Sequence, residues 1–515
     1  MRTAAAARRA PWWLAGATVV VGLALAVPIV AVIYQAIDAG WAVVHRTLSG
    51  HLLPMLLMHT LLLTTIVSSA CGCIGLGAAW LVERTDLPFR RTFAVLLLLP
   101  LAIPEFVAGY AWVSIAPSIH GLWGASLVMT LALYPLVYLP VAATLRRSDP
   151  ALDEVARSLG TRPIARFFRV TLPSLTRPLV GGMLLVGLYL LAEYGAFAIL
   201  RYPTFATAIY NEYSLFDAQA ASVLTLVLVL IGVIFLMGES RVGRSSFPGR
   251  ESGRPPARAR LQGGRPIAFV LMLGLGVLAV GVPVGSIVHW MLAGTSTTLP
   301  SASVYAITIR SLTLGGIAAI VATALALPVA VLSVRHSGAL SATVERSAFV
   351  DRALPGIAIG LTLVTITVHH LKPLYQTQTL LEFAYVLLFF PLALVAVRAA
   401  VARVPPGLDE AARSLGSSPL RVLRRVTIPM VLPGLAAAAT LVWLSATTEL
   451  TATLLLRPSG LRTLATQFWL YTTSLAYGAA APYAAIMIAV SIVPVVVLAR
   501  MARGSGDRST GTPLL

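Results

Sequence analysis

Long runs of apolar residues decide what this chain can fold into. The run from Leu14 to Ile33 reaches the length of roughly 20 residues that crosses a bilayer as a helix, and the run from Val223 to Met237 approaches it. Of the 515 residues, 58% are hydrophobic and 11% are charged, which is too little charge to cover a water-soluble surface. In lipid such runs must be helical, because a helix satisfies its own backbone hydrogen bonds. We therefore predict an all-α protein that crosses a membrane many times.

The apolar runs place about twelve transmembrane helices in the chain, six in each half. We expect them near 14–36, 57–82, 92–116, 122–145, 178–200 and 218–238, and then near 266–293, 304–332, 348–369, 379–402, 433–456 and 479–500. Residues 239–265 between the two sets are rich in Arg, Gly, Ser and Pro, which is typical of a flexible linker. The predicted domains are a first membrane half at 1–238, a cytoplasmic linker at 239–265 and a second membrane half at 266–515.

Basic residues are unevenly divided between the two ends of the predicted helices. With the N-terminus in the cytoplasm, 32 of the 38 Lys and Arg residues fall in cytoplasmic segments. The six on the outer side are Arg46, Arg201, Arg310, Lys372, Arg457 and Arg462. This asymmetry follows the positive-inside rule, so we expect both termini in the cytoplasm. Arginine-rich cytoplasmic loops also explain the net charge of +19 without nucleic acid as a partner.

An internal repeat relates the two halves. Residues 150–160 read PALDEVARSLG and residues 406–416 read PGLDEAARSLG, with nine of eleven positions identical at an offset of 256. The same offset relates Glu193 to Glu449 without a gap. Each copy follows the fourth predicted helix of its half, and each half has an even number of helices. The halves are therefore predicted to be parallel repeats, related by an axis along the membrane normal.

The repeated segment has the features of two short helices joined by a bend. In each copy a proline suits a first helical turn, two acidic residues follow near the positive helix end, and a glycine can take the left-handed conformation that stops a helix. A second proline suits the start of another helix, and a third is expected to end it. These residues are Pro150, Asp153, Glu154, Gly160, Pro163 and Pro173, and then Pro406, Asp409, Glu410, Gly416, Pro419 and Pro429. A structured loop of about 30 residues is much longer than a usual connection, so we expect it to dock in a groove on a cytoplasmic partner.

The pattern Glu-x-Ala-x3-Gly, followed nine residues later by aliphatic-x-aliphatic-Pro, resembles the "EAA" loop of permeases in binding-protein-dependent ABC importers. The second copy matches fully, and the first has Val155 where the motif has alanine. The resemblance implies the type I ABC importer permease fold, with a coupling helix in each loop that sits in a cleft of an ATPase subunit. It implies that the ATPase-coupling loops contain Asp153, Glu154, Ala156, Gly160, Asp409, Glu410, Ala411, Ala412 and Gly416.

The resemblance also implies partners and a location. Because one chain carries both halves, two copies of the ATPase would dock on it, and an extracytoplasmic solute-binding protein would deliver the solute at the bacterial inner membrane. The chain is expected to be a transport subunit rather than an enzyme, because it has no Gly-x4-Gly-Lys-Ser/Thr loop for nucleotide phosphates. We expect ATP and Mg²⁺ to be used by the ATPase partner, with no cofactor bound by this chain.

Two segments are similar to those of fused ferric-iron permeases. They are AEYGAFAILRYPTFATAIYNEY at 192–213 and ELTATLLLRPSGLRTLATQFW at 449–469. The similarity implies ferric iron as the solute. Fused permeases for thiamine, phosphonate and other small solutes share this architecture and remain alternatives.

Two carboxylates lie inside predicted membrane helices, at Glu193 and Glu449. A charge at the centre of a membrane helix costs about 2.5–3.5 kcal/mol even on lenient insertion scales, so it normally faces a cavity or a partner. Both are candidate pore or gate residues, and the alternative is that they pair with nearby polar groups and shape helix packing. In a proton- or sodium-driven secondary transporter they would carry the coupling proton, although such a transporter does not need the paired loops. The sequence leaves open whether the chain binds a metal.

Overall fold

The structure is a computed structural model that describes residues 11–147, 155–156, 158–161, 163–244, 258–293, 302–336, 338–351 and 354–507. Helices dominate these residues, and their one β-contact is an isolated parallel bridge between Thr85 and Ala259. The first-half helices are α1 (Trp12–Asp38), α2 (Gly40–Ser49), α3 (Leu52–Arg84), α4 (Arg90–Leu96), α5 (Glu105–Ile115), α6 (Gly121–Leu133), α7 (Pro135–Arg147), α8 (Pro163–Arg166), α9 (Leu172–Ala192), α10 (Gly195–Ile199), α11 (Phe205–Ser214) and α12 (Ala218–Arg244).

The second-half helices repeat this order. They are α13 (Arg265–Gly276), α14 (Val282–Ala293), α15 (Ala302–Arg335), α16 (Ala339–Asp351), α17 (Gly356–His369), α18 (Gln378–Ala402), α19 (Pro406–Ser414), α20 (Pro419–Val422), α21 (Ile428–Thr447), α22 (Thr451–Leu456), α23 (Leu464–Thr473) and α24 (Tyr477–Asp507). Short 3₁₀ turns lie at Leu99–Ala102, Gln262–Gly264 and Lys372–Leu374, and π-helical turns at Phe167–Thr171, Val277–Gly281 and Leu423–Thr427.

Apolar helices occupy all twelve of the segments that the sequence predicted to cross the membrane. In the described part of the chain, nine helices are long and apolar enough to span a bilayer by themselves. The pair Arg90–Ala102 and Glu105–Ile115 bends by 93° and makes a tenth span if its two helices cross together. The apolar helices Gly356–His369 and Tyr477–Ile492 are shorter. These observations confirm the prediction of an all-α polytopic membrane protein.

Four of the predicted spans are not the continuous helices that we expected. The third and ninth predicted helices break before α5 and α17, and each new helix begins directly after a proline, Pro104 or Pro355. Proline lacks a backbone N–H and restrains the residue before it, so a helix commonly restarts there. The fifth breaks at Glu193 and restarts at Gly195, and the eleventh breaks at Thr448, where there is neither proline nor glycine.

The third proline of each loop does not end its helix, contrary to the prediction. Pro173 and Pro429 lie in the first turn of α9 and α21, and a π-helical turn joins each of these helices to the short helix before it. A proline removes one hydrogen bond from the helical ladder, and a π-turn is a local change of hydrogen-bond register that keeps the chain helical. The second short helix of each loop therefore runs without interruption into the following membrane helix.

Contacts divide the chain into two compact units. The first consists of Met1–Ser49, Ala208–Leu230 and Leu299–Leu470. Within it, α15 packs against α18 and α21, and α1 packs against α15, α16 and α17. The first helix of the chain therefore belongs to a unit that consists mainly of second-half residues.

The second unit consists of Gly50–Thr207, Ile231–Thr298 and Tyr471–Leu515. Within it, α3 packs against α6, α7 and α9, and α14 packs against α5 and α24. Each unit thus contains the first helix of the opposite sequence half. These packing units do not coincide with the predicted division at 239–265, which was based on the sequence repeat. That division into domains remains a prediction.

The end of the predicted linker forms hydrogen bonds with the loop after α3. Ala259 donates its N–H to the Arg84 carbonyl at 2.8 Å, and Asp86 donates its N–H to the Ala259 carbonyl at 3.2 Å. The Asp86 carboxylate then accepts the N–H of Leu261 at 2.9 Å and an Arg265 N–H at 2.9 Å. The end of the predicted linker is therefore held against the loop after α3, and the flexibility of the linker as a whole remains a prediction.

Candidate functional site

The two repeated loops are described to different extents. Asp153 and Glu154 of the first copy lie outside the described residues, whereas 155, 156 and 158 are helical. In the second copy Asp409, Glu410, Ala411 and Ala412 all belong to α19, which begins at Pro406 as predicted. Both loops then start a second helix at the predicted prolines, in α8 and α20.

Both loop glycines stop a helix in the predicted way. Gly160 has a φ of +70° and Gly416 a φ of +81°, the left-handed region that glycine enters without steric cost. The next residue in each copy closes the helix end, since Thr161 donates its N–H to the Ala156 carbonyl at 3.2 Å and Ser417 to the Ala412 carbonyl at 3.1 Å. This six-residue closure is the Schellman motif. No atom lies within 4 Å of where a Cβ would stand on either glycine, so the backbone conformation alone selects glycine.

Each loop also exposes a leucine that the sequence analysis did not single out. Leu159 and Leu415 directly precede the two glycines, and their exposed fractions are 76% and 87%. In the first copy Val155 is exposed as well, whereas Ala156 is buried against the rest of the chain. Apolar side chains displayed at the same register in both loops are typical of a surface that a protein partner covers. The repeated Ser-Leu-Gly was the available signal in the sequence.

A continuous helical path leads from each loop to a break in the membrane helix. The first path runs from α8 through the π-turn into α9 and ends at Ala192, and the second runs from α20 into α21 and ends at Thr447. Because a helix is stiff along its axis, each path can carry a displacement of the loop to the break. Each break contains one of the two intramembrane glutamates.

Both glutamates accept a backbone hydrogen bond at the break. Ala196 donates its N–H to Glu193 Oε1 at 2.6 Å, and Ala452 donates its N–H to Glu449 Oε1 at 2.9 Å. The N–H groups in the first turn of a helix have no partner within that helix, and in lipid such groups must be satisfied. The carboxylates thus act as caps for α10 and α22. This contact supports a role in helix packing, and a role in the pore remains a prediction.

Close glycine contacts position the capped helices. In the second unit, α10 packs on α5 with the Ala196 Cα 3.7 Å from where a Gly109 Cβ would stand. In the first unit, α22 packs on α17, and Glu449 Oε1 lies 3.0 Å from where a Gly356 Cβ would stand. Gly356 is the first residue of α17, so the carboxylate lies at the positive end of that helix dipole.

A third intramembrane carboxylate was missed. Glu105 is the first residue of α5, directly after Pro104, at the position that Gly356 occupies after Pro355 in α17. The sequence signal was an acidic residue immediately after a proline, which favours a helix start because of the helix dipole. Among the described residues, no group of three His, Cys, Asp or Glu side chains is placed to hold a metal ion.

Two helical loops that present apolar side chains, each continuous with a membrane helix of an all-α polytopic chain, define a permease subunit of a transport system. Comparison with known proteins identifies the family of this permease. The model of the family described as "Binding-protein-dependent transport system inner membrane component" matches residues 72–238 and again residues 320–505. The chain belongs to this family, with both family domains in one polypeptide. It is therefore a multi-pass inner-membrane permease of a binding-protein-dependent ABC importer, and this membership implies ATPase and solute-binding partners.

Relatives from curated proteins include iron and sulfate permeases. The "Fe(3+)-transport system permease protein FbpB 2" of Haemophilus influenzae is 34% identical over 504 residues, which cover 96% of this chain and 99% of that protein. The "Sulfate transport system permease protein CysW" of Synechocystis is 28% identical over 239 residues, or 42% of this chain and 86% of that protein. A chain of the MetNI methionine ABC transporter aligns with 41% of this chain and 97% of its own length at 21% identity, with a TM-score of 0.30.

Proposed function

We propose that this permease imports ferric iron, and that two ATPase subunits drive it by binding its two loops. The observation that carries the proposal is the duplication of one loop geometry. Each loop has a glycine-stopped helix end, a leucine exposed beside the glycine and an unbroken path into a membrane helix. Since the two loops agree in each of these features, we expect each to bind the same partner.

The working cycle follows from the two paths. ATP and Mg²⁺ bound by the ATPases would draw the two coupling loops together, and the stiff helices would pass that motion to the breaks at Glu193 and Glu449. A loaded extracytoplasmic binding protein would deliver the solute when the pore opens outward. The positive-inside distribution supports loops and termini on the cytoplasmic side, where the ATPases are.

The relatives support iron over the other solutes. The iron permease of Haemophilus influenzae matches this chain over nearly its full length, fused halves included. The sulfate permease of Synechocystis matches less than half of it and at lower identity. In this proposal iron is the cargo and not a cofactor of the chain.

The exposed leucines give a direct test of the ATPase stoichiometry. We expect native mass spectrometry of the detergent-solubilised complex to show two ATPase subunits per wild-type chain. Leu159→Asp and Leu415→Asp should each reduce this number to one, and the double variant to none, because an aspartate cannot be buried in an apolar contact without a large desolvation cost. Leu215→Asp is the matched control, since Leu215 is also 74% exposed but lies in the segment predicted to face outward. Two subunits retained by the double variant would contradict the docking proposal.

The solute is tested separately. In proteoliposomes that contain the permease, its ATPases and the binding protein, we expect ATP-dependent uptake of radioactive iron supplied as Fe³⁺, with no competition from excess sulfate. Sulfate uptake in place of iron uptake would overturn the iron assignment and leave the ATPase stoichiometry untouched.

A further inference from the structure

We propose that the second unit has a binding site for the phosphate of an anionic phospholipid, at the corner where residues 83–91 meet residues 258–265. We name this corner the arginine corner. The hydrogen bonds between these two segments, described above, hold both in a fixed relation. The proposal concerns a lipid ligand and is independent of the transported solute.

The arginine corner has an excess of positive charge. Its two segments contain six arginines, Arg84, Arg90, Arg91, Arg258, Arg260 and Arg265, but only two carboxylates, Glu83 and Asp86. Both carboxylates are already engaged, since Glu83 accepts an N–H of Arg146 at 2.8 Å and Asp86 accepts one of Arg265 at 2.9 Å. The corner therefore has four more arginines than carboxylates, six against two.

The paired backbone forces like charges together. Ala259 forms the bridge to Thr85, and the residues on either side of it, Arg258 and Arg260, are exposed. Side chains at alternate positions of an extended segment point the same way, so these two arginines share a face. Arg258 repels the guanidinium of Arg90, Glu83 attracts it, and Arg91 adds to the repulsion. A bound anion would relieve the repulsion.

The apolar surroundings indicate which anion fits. The membrane helices α4 and α13 begin at Arg90 and Arg265, so the arginines lie where apolar spans meet polar loops. Phe89 is 73% exposed and Ile267 is 65% exposed at this boundary. A phospholipid offers both matching parts, a phosphate for the guanidinium groups and acyl chains for the apolar side chains. A free phosphate offers only the first.

The test uses the full chain in nanodiscs of equal parts phosphatidylglycerol and phosphatidylcholine, followed by partial delipidation and native mass spectrometry. Each arginine near an anionic surface contributes about a fivefold gain in affinity. We therefore expect the variant R90Q/R258Q/R260Q to lose the preference of the wild type for retained phosphatidylglycerol by at least tenfold. The control R46Q/R310Q/R462Q removes equal charge from the segments predicted to face outward and should keep the preference. An unchanged preference in R90Q/R258Q/R260Q would overturn the proposal.

A second variant distinguishes a defined binding site from general electrostatic attraction, and it remains informative if the triple variant fails to fold. Asp86→Asn raises the net charge but weakens the link to Arg265. The amount of retained phosphatidylglycerol should therefore fall if the corner is a defined site, and rise if the lipid is held by general attraction. An added arm supplies inorganic phosphate to the wild type. Phosphate that displaces the lipid and raises the melting temperature by itself would identify free phosphate as the ligand and overturn the lipid assignment.

Discussion

Replacing Glu449 tests whether its carboxylate caps a helix or serves the pore. In Glu449→Ala the Ala452 N–H loses the acceptor that now lies at 2.9 Å. Removing a capping side chain costs about 0.5–2 kcal/mol, and an unsatisfied buried N–H costs about 1–3 kcal/mol. We therefore expect a loss of about 2 kcal/mol in the free energy of unfolding. For a unit of about 250 residues, that corresponds to a fall of roughly 4–8 °C in melting temperature.

Glutamine provides the discriminating comparison. Glu449→Gln keeps a carbonyl oxygen at the same distance along the side chain, so the cap should persist and the melting temperature should stay within about 2 °C of the wild type. The same pair of substitutions at Glu193 should behave alike, because Ala196 donates to it in the same way. Glu382→Ala is the control, since its carboxylate accepts from the exposed side chain of Gln378 rather than from a helix start, and surface changes of this kind stay within about 0.5 kcal/mol.

Two measurements on each variant decide between the hypotheses. Thermal unfolding in detergent reports the cap, and solute uptake in proteoliposomes reports the pore. If Gln retains both stability and uptake whereas Ala loses stability, the carboxylates have a structural role. If Gln is stable but inactive, the charge itself serves transport. Equal destabilisation by Gln and Ala, or none by Ala, would refute the capping argument.

Three further outcomes are expected. Gly416→Ala should cost about 1–2 kcal/mol through its left-handed backbone and reduce coupled ATPase activity, whereas Gly416→Asn, which tolerates that backbone, should retain most of it. Gly434→Ala should lower the melting temperature of the chain, because the new Cβ would overlap the Ala400 side chain and overpacking costs about 1–3 kcal/mol. The Leu261 amide and Arg265 lower the pKa of Asp86, so the stabilisation from this contact is complete above about pH 4 and is lost as the pH falls through the lowered pKa. The protection factor of the Leu261 amide, the intrinsic exchange rate divided by the observed rate at the same pH, should fall with that loss, and Asp86→Asn should remove the pH dependence of the protection factor.

Much of the loop architecture could be predicted because it depends on local chemistry. Pro406 begins a helix, and Gly160 and Gly416 end one, since the backbone preferences of proline and glycine act within a few residues. The breaks at Glu193 and Glu449 could not be predicted in this way. A glutamate in an apolar run has no backbone preference for a break, and at Glu449 no proline or glycine is nearby. The structure shows that each carboxylate accepts a hydrogen bond from an amide three residues later, where the next helix begins.

A helical membrane protein with two repeated halves could be predicted from local patterns, because lipid leaves long apolar runs no alternative to helices and because the repeat includes polar residues as well as apolar ones. The choice of which helices pack together depends on tertiary contacts. The first helix of each half is apolar on every side, so its sequence does not specify which partner helices it packs against. Packing at small residues specifies the partners, since Val344 of α16 packs against Gly22 of α1 and Leu96 of α4 packs against Gly276 of α13. Both contacts join residues of different sequence halves, and local sequence patterns carry no information about them.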